Sequence, residues 1–328
     1  MTRYCALPHI DAASYVRHSL HGEECDWVEK NCYVDLLIEV VHALGLEPYA
    51  MLPFILTVDF VGDQWTFFKP QHKELRYLYG LDIQEMSNWR PLLDHAVEHL
   101  SAQRLISVEV DSFWLPDTAA TDYRQKHTKT TIALSEIDTQ NYRLGYFHNA
   151  GYYELEGEDF RQIFRIDMPA DPTYLPLYAE LIHINQVKQL DDELLAQYSG
   201  NLLRQHIGLI PQSNPIKPFA ERFERDLPAM HEHGLAYYHL WAFNNTRQMG
   251  AAFELAAAYL KWLTQYNKLD MSPAIESFQK ISSANKSLIL KIARSVNSSR
   301  PLDLSALFAE MADDWDRGMN CVVDKLKI

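Results

Sequence analysis

Residues 31–48 read NCYVDLLIEVVHALGLEP, and this stretch decides the fold. Asn31 is a competent N-cap, able to accept from the exposed amides of a first helical turn. Gly45 supplies the left-handed residue that ends a helix, and Pro48 prevents its continuation. Between them Val34, Leu36, Leu37, Ile38, Val40, Val41 and Leu44 are apolar on most sides, so the spacing predicts a buried central helix over 32–44. Downstream the pattern changes to short β-like runs. ILTVDF and QWTFFK flank Val61-Gly62-Asp63 as a hairpin, and LISVEVDSFWL (105–115), TKTTIALSEI (128–137) and NYRLGYFHN (141–149) read as strands. A hairpin turn is expected at Asp138-Thr139-Gln140. One buried helix followed by an antiparallel sheet is an α+β arrangement.

After MPADPTYLP (168–176), with Pro169, Pro172 and Pro176, helical spacing is nearly continuous, in segments 192–207, 219–233, 235–266, 273–296 and 304–326. Asn244-Asn245-Thr246 interrupts or recaps the third of these. The domain boundary is therefore expected at about 168, with an α+β domain over 1–168 and an all-α helical bundle over 169–328. Charge divides at the same point. The formal net charge is −14; residues 1–168 carry 26 acidic and 14 basic side chains, and residues 169–328 carry 18 and 16. So acidic a chain lacks the basic face that a general nucleic-acid binder needs. No run approaches the ~18 apolar residues of a membrane span, and the opening residues lack the pattern of a secretory signal. A cytoplasmic protein with no nucleic-acid or membrane partner is expected. Four cysteines, Cys5, Cys25, Cys32 and Cys321, do not make a disulfide framework in 328 residues, so reduced thiols are expected. The sequence has no Gly-rich phosphate loop, G-x-S-x-G elbow, H-E-x-x-H or C-x-x-C, and no metal site is expected.

Cys32 opens the central helix. Unsatisfied amides and the helix dipole favour a thiolate there, and the same amides can donate to an oxyanion. Asp35, one turn along, opposes the thiolate, so a base is required. The bland alternative is a packed structural cysteine. Among 14 histidines, His127 stands immediately before TKTTIAL, and Asn149 ends RLGYFHN. In an antiparallel hairpin those ends lie side by side, within reach of an imidazole–carboxamide bond, and because side chains alternate, His148 faces away if Asn149 faces His127.

A Cys opening a helix, a His opening a strand and an Asn on the next strand resembles the order in papain-like cysteine hydrolases and acyltransferases. The segments NCYVDLLIEVVHALGLEP, VDFVGDQWTFFKP, VEVDSFWLPDTAATDYRQKHTKTTI, LGYFHNAGYYELEGEDF and RQMGAAFELAAAYLKWL further resemble a bacterial family of cysteine-protease-like proteins. That family accompanies amino acid:carrier protein ligases and is distantly similar to the butirosin-type carrier-protein-dependent acyltransferase. The resemblance implies a papain-like first domain with Cys32 as nucleophile, His127 as base and Asn149 as the orienting residue. It also implies an aminoacyl thioester donor on the phosphopantetheine arm of a carrier protein, with no cofactor of the chain's own, and such a ligase as companion. Papain-type enzymes usually carry a Gln oxyanion donor about six residues before the Cys. Here Asp26 stands there, so Asn31 or the Cys32 amide would have to substitute.

Further candidates are Asp111 and Asp117, for lining the cleft and recognising an amino group, and Asn244 and Arg247, for substrate contact. Turn capping and a solvated helix face are the plainer readings of these residues. Lys280, Lys286, Lys291 and Arg294 form a basic strip that suits an acidic carrier protein. The expected activity is aminoacyl transfer, or thioester hydrolysis, through a Cys32 thioester. The alternative is a non-catalytic protein of the same fold that binds a carrier protein or ligase. A peptidase or amidase ranks third.

Overall fold

A computed structural model describes residues 2–169, 171 and 173–326; Pro172 of the proline-rich segment lies outside the described residues. The chain divides into two compact units, one of residues up to 19, 31–48 and 71–189, the other of 20–30, 49–70 and 190 onward.

The first unit is built on an antiparallel sheet. Its strands are β1 (Arg3–Cys5), β4 (Asp82–Glu85), β5 (Arg104–Asp111), β6 (Lys129–Asp138), β7 (Arg143–His148), β8 (Gly151–Glu156) and β9 (Ala179–His183). The order is β4-β9-β5-β6-β7-β8, with β1 also paired to β6. The central helix α1 (Cys32–Ala43) packs against β6, β7 and β8, and its Val34, Leu36, Ile38, Val40 and Val41 are fully buried. Asn31 caps it as its sequence predicts: the side-chain oxygen accepts from the Val34 amide at 2.9 Å. Gly45 takes the left-handed conformation beyond the last turn (φ +71°), which a side chain would strain. Three short helices complete the unit: α2 (His72–Tyr79), α3 (Leu92–Ser101) and α4 (Glu158–Phe164).

Among its described residues the second unit contains a small hairpin, β2 (Phe60–Val61) with β3 (Gln64–Trp65), and a run of α-helices, one of which is broken at a non-helical Gly234. These are α5 (Asp192–His206), α6 (Ile216–Ala242), α7 (Gln248–Leu263), α8 (Ser272–Ser298) and α9 (Ser305–Leu326). Between α6 and α7 the residues Phe243–Arg247 widen into a π-turn, so Asn244-Asn245-Thr246 does interrupt the helical run. The core of this unit is aromatic: Phe219 packs on Phe60, Trp65, Trp241 and Phe308.

Two expectations need correction. The division falls after 189, not near 168, because β9 follows the proline-rich segment and pairs with both β4 and β5. The hairpin around Val61-Gly62-Asp63 is shorter than its sequence suggests. Pro53–Thr57 is a 3-10 turn, since Pro53 lacks the amide a strand needs and its fixed φ suits a helical start. Among the described residues, no helix is long and apolar enough to cross a membrane.

Candidate active site

Antiparallel pairing sets which residues share a face of the sheet. Ser107 pairs with Ala133, Glu109 with Thr131 and Asp111 with Lys129, while Glu180 of β9 pairs with Ser107. Cys32 and Tyr33, the first residues of α1, meet this face: the Cys32 thiol lies 3.8 Å from the Thr131 hydroxyl, and the Tyr33 hydroxyl donates to Glu180 at 2.7 Å. Thr131 and Asp111 are diagonal neighbours on it, with Cα atoms ~7–8 Å apart.

Asp111, at the end of β5, holds His127. Its carboxylate accepts from the His127 Nδ1 at 2.5 Å and also from the Phe113 amide at 3.1 Å. The ring stacks on Phe113, with centroids 4.3 Å apart and planes 11° apart. A carboxylate can only accept, so Nδ1 carries a proton, and in the neutral ring the lone pair is on Nε2. The His127 side chain is 70% exposed, and Nε2 has no hydrogen-bond partner among the described residues. A base fixed in tautomer by an acid and stacked in place is the arrangement that general-base chemistry uses.

The structure brings together His127 with Asp111 and Cys32 with Thr131. It does not join His127 to Asn149. Asn149 and Ala150 form the two-residue turn closed by the His148–Gly151 pair, and Asn149 is left-handed there (φ +44°), a conformation its side chain tolerates. Asp111 makes the bond expected of the carboxamide. His148 does lie on the face opposite α1. Its Nδ1 bonds Asp117 at 2.6 Å and its Nε2 accepts from the Thr130 hydroxyl at 2.8 Å. The other oxygen of Asp117 accepts from Tyr146, whose phenol is pushed far up by burial and then by that carboxylate. The Asp117 side chain is 4% exposed, so this residue is sealed in the network and does not line a cleft.

Other candidates have local roles. Asn31 spends its side-chain oxygen on capping Val34. Asp26 belongs to the second unit, where its amide donates to Glu254 at 2.6 Å and its carboxylate accepts from Ser283 at 3.3 Å. Burial pushes the Glu254 carboxyl up. Asn244 donates back to the Leu240 carbonyl within the π-turn, and Arg247 donates to the backbone and carboxylate of Glu29. Lys280, Lys286, Lys291 and Arg294 are all exposed on α8. At ~100° per residue Lys280, Lys291 and Arg294 make one stripe, and Lys286 points ~120° away. Its ammonium lies 4.3 Å from the Trp27 ring. All four cysteines are free thiols.

The family model of the DUF1839 N-terminal domain matches residues 16–184, and that of the DUF1839 C-terminal domain matches 192–324. The chain belongs to the DUF1839 family. No curated protein matches it. Cys32, Asp111, His127 and Thr131 all lie within the DUF1839 N-terminal domain, as does β9, and the basic stripe lies within the DUF1839 C-terminal domain. Sequence reading missed Thr131, Tyr33 and Glu180 at this face. The signal for Thr131 was the alternation of β6 itself, which sets Thr131 on the side opposite Thr130.

Proposed function

We propose that this protein is a cysteine-dependent acyltransferase, with Cys32 as nucleophile, His127 as general base and Asp111 as the residue that orients His127. The observation that carries the reading is the His127–Asp111 pair, anchored one residue pair along the sheet face from Thr131, on which the thiol rests. The capped first turn of α1 offers backbone amides to an oxyanion, which replaces the donor that Asp26 cannot supply.

In the reaction, His127 takes the thiol proton and the sulfur attacks a thioester carbonyl. The donor C–S bond breaks, the leaving thiol takes the proton, and the acyl group remains on Cys32. An amine or water then attacks, and the Cys32 sulfur leaves. A papain-like fold, a carrier-protein-bound aminoacyl donor, a carrier protein on the α8 stripe and a companion ligase belong to the same proposal. So does the cytoplasm, whose reducing conditions suit four free thiols.

The test is incubation with aminoacylated carrier protein, with mass spectrometry of the intact chain. Acyl on Cys32, lost in Cys32→Ala together with turnover, supports the reading. Equal turnover by Cys32→Ala would end it. The second reading, a binding protein without catalysis, is favoured by one observation: the side chain facing the thiol is a threonine hydroxyl and not an imidazole. Carrier protein that binds with wild-type affinity and is never consumed would select it.

A further inference from the structure

Beside Cys32, in the same first turn of α1, Tyr33 enters a buried network centred on Glu180. This carboxylate is 1% exposed and accepts from three hydroxyls: Tyr33 at 2.7 Å, Ser107 at 3.0 Å and Tyr178 at 2.9 Å. The Nε2 of His72, the first residue of α2, lies 2.8 Å from the Tyr33 oxygen and 3.4 Å from Glu180. Burial, and then the Glu180 charge, push the Tyr33 phenol far up, so it stays a donor.

Counting protons fixes the imidazole. Tyr33 has one hydrogen and gives it to Glu180, so its oxygen accepts from the Nε2–H of His72. In the neutral ring the lone pair of His72 is therefore on Nδ1, which has no hydrogen-bond partner among the described residues, and the side chain is 31% exposed. The result has the pattern found at His127: a ring tied by one nitrogen to a carboxylate network, with the other nitrogen basic and accessible. His127 is anchored at the end of β5, and His72 is tied to the residue that follows Cys32.

We propose that His72 is the acceptor-side base of the acyl transfer. It accepts through Nδ1 the proton of the amine or water that attacks the acyl-Cys32 carbonyl. The new C–N or C–O bond forms, the C–S bond breaks, and the sulfur leaves as a thiolate; His72 releases the proton it accepted to water, and the thiolate takes its proton from water, which returns both groups to their starting states. Tyr33 and Glu180 are positioning residues that fix the tautomer. This inference rests on the acyltransferase reading and divides its two half-reactions between two histidines.

The experiment loads the protein with p-nitrophenyl acetate and follows the two steps separately. Nitrophenol release reports acylation of Cys32, and intact mass reports loss of the acetyl group to water or to added ethanolamine. His72→Gln keeps a side-chain amide able to donate to Tyr33 but has no basic nitrogen. It is expected to acylate at the wild-type rate and to lose the acetyl group at least ~10²-fold more slowly, with the pH dependence of deacylation lost. Tyr33→Phe should retain deacylation but shift its pH midpoint, because the tautomer is no longer fixed. A His72→Gln protein that deacetylates at the wild-type rate with an unchanged pH profile overturns the inference and leaves the reading of Cys32 and His127 standing. Wild-type protein that takes no acetyl group overturns both.

Discussion

Among the described residues, the first unit holds two histidine–aspartate pairs on opposite faces of one sheet, and they differ in exposure and in how many ring nitrogens are bonded. His148 and Asp117 are 1% and 4% exposed, and both imidazole nitrogens are used, one by Asp117 and one by the Thr130 hydroxyl. His127 and Asp111 are 70% and 36% exposed, and only Nδ1 is used. A ring with both nitrogens satisfied inside the protein is structural: it links β6, β7 and the turn after β5 while leaving no buried polar atom unpaired. One with a single nitrogen tied down and the other open to substrate is equipped to move a proton. The same pair of residue types is thus a staple on one face and a candidate base on the other.

The largest expected effect tests the open pair. His127→Ala should reduce acyl transfer by ~10²–10⁴-fold, the usual contribution of a positioned base, while urea unfolding changes by less than ~1 kcal/mol, as for exposed pairs. The sealed pair should behave in reverse. His148→Ala strands the Asp117 carboxylate in the interior and should cost ~3–5 kcal/mol, with any remaining folded protein keeping the reactivity of Cys32. If His148→Ala unfolds no more easily than His127→Ala, the contrast between the two faces is wrong.

The thiols sharpen the comparison. Burial, and then the nearby Glu136 charge, raise Cys5 to about 11, and burial also pushes Cys25 up. A raised thiol has less thiolate at any pH below its midpoint, so both should alkylate slowly at pH ~8 relative to an ordinary thiol near ~8.5. Iodoacetamide labelling followed by peptide mapping should therefore modify Cys32 ahead of Cys5 and Cys25, and Cys5 should gain reactivity only as pH approaches 11. Cys5 or Cys25 labelling ahead of Cys32 would count against Cys32 as nucleophile.

How much of this was legible follows from the range of the interactions. The central helix could be read because its cap, apolar faces and stop signal all lie within residues 31–48. The helices of the second unit could be read for the same reason. β9 could not, since AELIH is only five residues long and its neighbours β4 and β5 are distant in sequence. At the site, Cys32 and His127 stood out by position, but the acid that holds His127 did not. Register decides that choice: Asp111 ends the strand that pairs with Lys129, while Asn149 is consumed by a turn. His72 was illegible because its partner Glu180 belongs to that same unread strand.

The smallest effect separates the two duties of the first turn of α1. Asn31→Ala removes the oxygen that the Val34 amide donates to and should cost ~1 kcal/mol, measured by urea unfolding. Asn31→Asp keeps an oxygen at that position, so stability should return to near wild type. Yet it sets a carboxylate beside the thiol, and a like charge disfavours the thiolate. Cys32 should then alkylate more slowly at a fixed pH although the helix is intact. If Asn31→Ala and Asn31→Asp instead lower reactivity in proportion to lost stability, helix integrity governs the thiol, and the dipole and amides of the helix start are not what activates Cys32.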